Sequence, residues 1–215
     1  MAKTKNTPNM RQLVQDFGVQ MMEALQVSVG HAPSGKMSYR GAIVLGMGGS
    51  GIGGAVLADM LRPSLSMPLM AVSDQMLPGW VDSDCLVVAV SYSGNTEETL
   101  AALNEAENRG CTLAAVTSGG ELGMRAENQN WPLVKMPGGN PPRSQFGRSF
   151  LGLCTLLHAY GILSNASWET IQQAARGLDG SSVEERGESL ALALEGKKIY
   201  LYGDSPMRGL LTRSV

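Results

Sequence analysis

A glycine-rich loop near the start of the chain separates a short apolar run from a helical pattern. The run Gly41–Leu45 has the composition of a β-strand, and residues 46–54, the glycine loop, read Gly-Met-Gly-Gly-Ser-Gly-Ile-Gly-Gly. A helical pattern then continues to Leu61. A strand that turns through glycines into a helix is the first half of a β-α-β unit, which predicts a parallel sheet.

The same alternation of strand and helix continues along the chain. Strand-like runs lie at 69–72, 85–90, 111–116 and 132–135, and helical patterns lie at 96–109, at 121–128 and in two or three segments up to about residue 194. The run at 85–90 is apolar throughout, as expected for a central strand covered on both faces. We therefore predict an α/β fold, a doubly wound parallel sheet flanked by helices in three layers, with ligand loops at the carboxyl ends of the strands.

Both ends of the chain carry further patterns. Apolar residues recur at helical spacing between residues 10 and 25, and Thr7 with Pro8 predicts the start of one helix there. We expect this helix to pack on its own domain, with a dimer contact as the alternative. Near the other end, residues 198–202 predict a new strand, and residues 203–206 predict its turn into another helix.

Composition excludes several classes of partner. A formal net charge of −2 over 215 residues gives no field that would attract nucleic acid or an anionic membrane, so an anion would need a local site. Cys85, Cys111 and Cys154 lie in apolar runs without metal-ligand spacing, which favours a reducing compartment and no metal. No signal-peptide core or membrane-length apolar run is present, so we expect a cytoplasmic protein.

The glycine loop permits three interpretations. Gly46, Gly48 and Gly51 match the Gly-x-Gly-x-x-Gly pattern of dinucleotide sites, and Asp74 lies about where the ribose-binding acid of that pattern would fall. A sugar phosphate or another anion could equally occupy such a loop. The glycines could also serve only a tight turn.

A second loop favours the anion. Residues 91–96, the hydroxyl loop, read Ser-Tyr-Ser-Gly-Asn-Thr and open a helix directly after the apolar strand. Hydroxyls at Ser91, Ser93 and Thr96, together with N–H groups at the helix start, could surround the oxygens of a phosphate monoester. The alternative is an ordinary capped helix, with Asn95 as the cap and Glu98 in its capping box. Glu97 and Glu98 would have to face away from a bound phosphate.

Taken together, several segments resemble the first sugar-isomerase (SIS) domain of the bifunctional phosphoglucose/phosphomannose isomerases. They are the glycine loop, Leu77-Pro78, Val-Ser-Tyr-Ser-Gly-Asn-Thr-Glu-Glu-Thr ending at residue 99, and Pro142-Arg143. The resemblance implies an aldose–ketose isomerisation of glucose 6-phosphate and mannose 6-phosphate with fructose 6-phosphate through an enediolate, without a cofactor, in a homodimer. The implied site residues are Ser91, Ser93 and Thr96 for the phosphate, Gly48, Gly49 and Ser50 for the sugar, and Arg143 for the negative charge of the intermediate.

The resemblance also implies that the binding residues and the proton-transfer residues come from two different domains. The glutamate, histidine and lysine that move protons would come from a second SIS domain, and no stretch matching theirs occurs within residues 1–215. We therefore expect a helical segment at 1–40, a first SIS domain at 41–160, a helical connection at 161–195 and a truncated start of a second SIS domain at 196–215. Such a chain should bind a hexose 6-phosphate but barely turn it over. The alternative is a non-catalytic SIS module that senses a phosphosugar.

Overall fold

Five parallel strands form the sheet of this protein. The computed structural model describes residues 9–33, 38–178, 180–204 and 211. The strands are β1 (Gly41–Leu45), β2 (Leu69–Val72), β3 (Cys85–Ser91), β4 (Thr112–Thr117) and β5 (Leu133–Lys135). Their order in the sheet is β2-β1-β3-β4-β5, and each neighbouring pair is parallel. The five strands predicted between residues 41 and 135 are confirmed, with ends that differ by at most one residue.

Helices cover both faces of this sheet. They are α1 (Met10–Gln15), α2 (Phe17–Ala24), α3 (Gly48–Leu61), α4 (Glu97–Asn108), α5 (Gly120–Asn128), the 3₁₀-helix η1 (Pro142–Gln145), α6 (Phe146–Ala159), α7 (Asn165–Arg176) and α8 (Gly180–Leu194). The predicted doubly wound architecture with three layers is therefore confirmed. No helix in the described part of the chain has the length and apolar content needed to cross a membrane.

Alternate residues of the strands pack into two separate hydrophobic cores, one on each face of the sheet. On β1, Ala42 and Val44 face the core beneath α2, α3, α6 and α7, while Ile43 and Leu45 face the core beneath α4 and α5. Successive side chains of a strand point to opposite faces, so a strand buried on both sides must be apolar throughout. All seven residues of β3 are buried, and the six before Ser91 are apolar.

The order of the strands creates one natural crevice. The chain passes from β1 through α3 outward to β2, and from β3 through α4 in the opposite direction to β4. The two connections leave on opposite faces, so the carboxyl ends of β1 and β3 have open space between them. The glycine loop follows β1 and the hydroxyl loop follows β3, which brings the two predicted ligand loops side by side.

The N-terminal helix differs from its prediction. The structure has two helices, α1 and α2, which meet at Asp16, where the backbone leaves the helical region (φ −75°, ψ 4°). The cap of α1 is Asn9, whose side chain accepts a hydrogen bond from Arg11 N–H; the predicted cap, Thr7, lies outside the described residues. Met21 and Ala24 of α2 are buried in the sheet core, which confirms that this segment packs on its own domain.

Residues 198–202 do not form the strand predicted for them. The structure assigns no strand or helix from 197 to 204, and the side chains of Ile199, Tyr200, Leu201 and Tyr202 are exposed. An apolar alternating segment becomes a strand only beside a partner strand that satisfies its backbone, and none of the five described strands pairs with it. The predicted boundaries of the domains stay predictions.

Candidate functional site

A cavity of about 740 Å³ lies at the crevice between β1 and β3. Its volume is in the range typical of small-molecule sites, and it brings together six of the seven residues predicted for the site. Those six are Gly48, Gly49, Ser50, Ser93, Thr96 and Arg143. The remaining lining residues are Met10, Val14, Met47, Ile52, Tyr92, Pro142 and Ser144. The roles of the six in binding stay predictions.

The glycine loop brings the start of α3 to the cavity. Gly51 lies so close to the end of β1 that a Cβ atom there would come within 2.2 Å of the carbonyl oxygen of Gly46. A Cβ at Gly49, by contrast, would meet no atom within 4 Å, and Gly49 lines the cavity. The cap of α3, Met47, makes no side-chain hydrogen bond to the first turn. The first N–H groups of a helix lack intrahelical acceptors, so this end of α3 is suited to an anion.

Ser91 is the one predicted site residue that does not line the cavity. It is 2% exposed at the end of β3, and its hydroxyl accepts a hydrogen bond from Gly94 N–H at 3.1 Å. Its oxygen also lies 2.9 Å from the Oγ1 atom of Thr96. Ser91 therefore organises the hydroxyl loop from beneath, and direct contact with a ligand would need this arrangement to change.

The interpretation of Asn95 as the cap of the following helix is wrong. The cap position of α4 is Thr96, and no side chain caps that helix. The Oδ1 atom of Asn95 accepts instead from Glu121 N–H in the first turn of α5, at 2.9 Å. Asn95 thus joins the hydroxyl loop to the next loop of the sheet, and within the described residues the cap of α4 makes no side-chain hydrogen bond to its first N–H groups.

The loop after β4 supports the hydroxyl loop, and sequence reasoning missed this connection. Ser118 donates both its N–H (3.1 Å) and its hydroxyl (2.6 Å) to the carbonyl oxygen of Tyr92. Leu122 N–H donates to the carbonyl oxygen of Gly94 at 2.9 Å. A Cβ at Gly94, whose φ is +71°, would lie 1.8 Å from the carbonyl oxygen of Gly119, so the two loops are in direct contact.

Tyr92 connects the hydroxyl loop to residues 137–143, the arginine segment. Its ring is buried and lines the cavity, while its hydroxyl donates to Pro137 C=O at 3.2 Å and accepts from Asn140 N–H at 3.0 Å. The sequence feature that could have drawn attention to Tyr92 is its position between two serines at the end of a strand. Since alternate residues face opposite sides, Tyr92 had to point away from Ser91, but its partner could not be read from the sequence.

A buried chain of hydrogen bonds anchors the other end of the arginine segment. Arg148 donates to Gln145 Oε1 at 2.7 Å, Gln145 donates to Ser144 Oγ at 2.9 Å, and Ser144 donates to Pro141 C=O at 2.7 Å. Gln145, the last residue of η1, is 1% exposed although it is polar. These bonds fix the backbone on both sides of Arg143.

The electrostatic character of the cavity is positive. Arg143 is the one charged residue among its described lining residues, and two helix N-termini, those of α3 and α4, add partial positive charge. Glu97 and Glu98 do not line the cavity, which meets the condition set for them by the sequence analysis. The arrangement can bind an anion. The described lining residues include no carboxylate or imidazole that could move a proton.

Other candidate groups lie away from this cavity. Asp74 accepts hydrogen bonds from Gln75 and Met76 in its own turn and does not line the cavity. His158 is half-buried, bonds Asn165 Oδ1 at 3.0 Å and stacks on Trp168, as expected for a satisfied residue at the edge of a core. Across the described residues no cluster of histidine, cysteine, aspartate and glutamate could hold a metal ion.

Comparison with curated proteins finds relatives that share part of their length with this chain. A bifunctional phosphoglucose/phosphomannose isomerase of Caldicellulosiruptor bescii is 40% identical over 121 residues, which are 56% of this chain and 36% of that protein. A protein of the same description from Thermoplasma acidophilum is 33% identical over 181 residues, 82% of this chain and 54% of that protein. A D-glucosamine-6-phosphate 4-epimerase of Sulfolobus acidocaldarius is 40% identical over 114 residues, 53% of this chain and 36% of that protein. The chain thus spans between about a third and about half of these relatives.

Solved structures share the fold at low sequence identity. The C-terminal domain of glucosamine-fructose-6-phosphate aminotransferase from Francisella tularensis superposes with a TM-score of 0.68 at 11% identity, covering 98% of this chain and 66% of that chain. No protein-family model matches the sequence. The resemblance and the SIS-type fold predicted from the sequence are confirmed by these similarities.

Proposed function

We propose that this chain, which is a relative of the bifunctional phosphoglucose/phosphomannose isomerases, supplies the phosphosugar-binding domain for an aldose–ketose isomerisation of hexose 6-phosphates. The observation that carries the proposal is the cavity at the carboxyl ends of β1 and β3. Two helix N-termini, a set of hydroxyls and Arg143 converge there without an opposing carboxylate among the described lining residues.

The phosphate would bind between the hydroxyl loop and the start of α4. Ser93 is exposed to the cavity and Thr96 is half-buried at its wall, so both hydroxyls can reach a ligand. If Ser91 donates its hydrogen to Thr96, the hydrogen of Thr96 remains available for a phosphate oxygen. Uncapped N–H groups of α4 would bind the remaining oxygens, since an anion is favoured at a helix N-terminus.

The sugar would extend toward the glycine loop and Arg143. Gly48 and Gly49 present backbone without side chains, which leaves room for a hydroxylated ring or open chain beside Ser50. Isomerisation moves a proton between C2 and C1 and places negative charge on the oxygens of an enediolate. A guanidinium is a cation with several N–H donors in a planar fork, so Arg143 is suited to stabilise that charge.

The proton itself would be moved by groups outside this cavity lining. A base must lie within hydrogen-bond reach of the carbon-bound proton, and the described lining offers none. We propose that these groups come from a second SIS domain of the complete protein, with the enzyme working as a homodimer. The same observation favours a second candidate function, a non-catalytic module that binds a phosphosugar as a signal.

Calorimetric titration of the 215-residue chain with fructose 6-phosphate tests the proposal. Fructose without phosphate and NAD serve as control ligands, and a coupled isomerase assay is run on the same sample. Arg143→Gln is the site variant, and Arg176→Gln, on the distant helix α7, is its matched control.

Each result has a distinct meaning. Phosphate-dependent binding that weakens in Arg143→Gln, without turnover, supports a binding domain whose chemistry needs further groups. Turnover by the chain alone would show that its own residues supply the base. Binding of NAD but not of fructose 6-phosphate would contradict the proposal and favour the dinucleotide interpretation of the glycine loop.

A further inference from the structure

We infer that Tyr92 is a positioning residue whose hydroxyl holds Arg143 in register with the hydroxyl loop. The inference rests on the proposed function, because it concerns how two parts of the same site are held together. Tyr92 belongs to the hydroxyl loop by sequence, yet its hydroxyl bonds to Pro137 C=O and Asn140 N–H of the arginine segment.

The two bonds use the hydroxyl as a bridge between separate segments. Its hydrogen is donated to Pro137 C=O, and one lone pair accepts from Asn140 N–H. Both partners precede Arg143 by a few residues, in a segment rich in glycine and proline. The chain of bonds through Ser144 and Gln145 reaches back across Arg143 only as far as Pro141, so it does not include residues 137–140.

Without the bridge, the arginine segment would keep the bonds between Pro141 and Ser144 but lose those that hold Pro137 and Asn140. The hydroxyl loop would keep its own bonds, because Ser91, Gly94 and Leu122 do not depend on the Tyr92 hydroxyl. Loss of the Tyr92 hydroxyl should therefore leave the hydroxyl loop intact and reduce the contribution of Arg143 to ligand affinity. This separates positioning from a general loss of stability.

Tyr92→Phe removes the hydroxyl and keeps the ring that fills the core. Tyr160→Phe is the matched control, since Tyr160 is equally buried but stacks edge-on with Tyr39 at the opposite end of the sheet. The first readout is amide hydrogen exchange of Asn140, compared with Gly94 and Leu122. The second is a double-mutant cycle in fructose 6-phosphate affinity that combines Tyr92→Phe with Arg143→Gln.

We expect Asn140 to exchange about tenfold faster in Tyr92→Phe, since it loses the one acceptor described for it, while Gly94 and Leu122 keep their rates. Arg143→Gln should weaken affinity by about tenfold or more in the wild-type background, as expected for a charged hydrogen bond. In the Tyr92→Phe background, Arg143→Gln should weaken the affinity for fructose 6-phosphate clearly less.

Two results would overturn the inference. One is an unchanged exchange rate of Asn140 in Tyr92→Phe, and the other is an equal effect of Arg143→Gln in both backgrounds. Absence of fructose 6-phosphate binding by the wild-type chain contradicts the proposed function instead, and hydrogen exchange alone then decides whether Tyr92 holds the segment.

Discussion

The hydroxyl oxygens of Ser91 and Thr96 lie 2.9 Å apart beneath the surface of the candidate site. Ser91 is buried, whereas Thr96 lines the cavity. The pair therefore has an inner member that shapes the loop and an outer member that can meet a ligand. The sequence analysis assigned both to the phosphate, and only their geometry separates them.

Ser91→Ala should destabilise the protein by about 1 kcal/mol, because the buried hydroxyl loses its hydrogen bonds with Gly94 N–H and Thr96 Oγ1. Gly94 N–H would keep only its longer bond to the Ser91 carbonyl oxygen, at 3.2 Å. Urea unfolding measures the change in free energy. A variant with wild-type stability but no affinity for fructose 6-phosphate would show instead that Ser91 contacts the ligand directly.

Ser93→Ala should weaken ligand binding but leave the stability of the protein nearly unchanged. Ser93 is exposed, and its hydroxyl accepts only from Asn95 N–H at 3.2 Å, so stability should stay within about 0.5 kcal/mol of the wild type. Affinity for fructose 6-phosphate should fall by about 1–3 kcal/mol if the hydroxyl meets charged oxygens. Calorimetry measures this loss, and an unchanged affinity would remove Ser93 from the site.

The glycine loop offers a matched pair of alanine variants. Gly51→Ala places a Cβ 2.2 Å from the Gly46 carbonyl oxygen, so the helix must shift and stability should fall by about 2–4 kcal/mol. Gly49→Ala meets no atom within 4 Å and should leave stability nearly unchanged, but its methyl group enters the cavity and should weaken binding.

Thermal unfolding and calorimetry on the two variants check these expectations. Gly79→Ala, which also meets open space but lies away from the cavity, is the control for the effect of alanine itself. Equal binding by Gly49→Ala and Gly79→Ala would place the ligand away from the glycine loop.

The sheet could be predicted from the sequence because its signals are local. The apolar run before Ser91 and the glycines after Leu45 indicate strand ends directly, and parallel topology follows from the alternation with helices. The loops that follow neighbouring strands then meet at one edge. The main site residues could therefore be grouped without knowledge of the structure.

The errors have causes that are not local. Asn95 precedes a helix and has the ideal chemistry for its cap, yet it bonds to Glu121, which is distant in sequence. The break at Asp16 depends on how α1 and α2 pack against different neighbours, and helical periodicity alone does not reveal it. Tyr92 was missed because its hydroxyl bonds to a segment that follows two strands later.

The last prediction concerns Glu105, which holds the loop before β3 against α4. Its carboxylate accepts from Leu77 N–H at 2.8 Å and forms an ion pair with Arg109, which in turn donates to Pro78 C=O at 2.8 Å and Val81 C=O at 2.9 Å. The hydrogen bond from Leu77, followed by the interactions with Arg109, lowers the pKa of Glu105 below its usual value.

A carboxyl whose pKa is lower in the folded state stabilises the protein above the unfolded pKa, about 4.3 for glutamate, and loses that contribution as the pH falls through the folded value. Glu105→Gln should therefore cost about 1 kcal/mol or less at neutral pH, because the side chain is partly exposed to solvent. The difference from the wild type should shrink below about pH 4.

Urea unfolding of both proteins between about pH 3 and pH 7 measures this convergence. Glu169→Gln, at an exposed position of α7, is the control for loss of a surface carboxylate. A difference for Glu105→Gln that stays constant across this range would contradict a contribution from the ionised carboxylate.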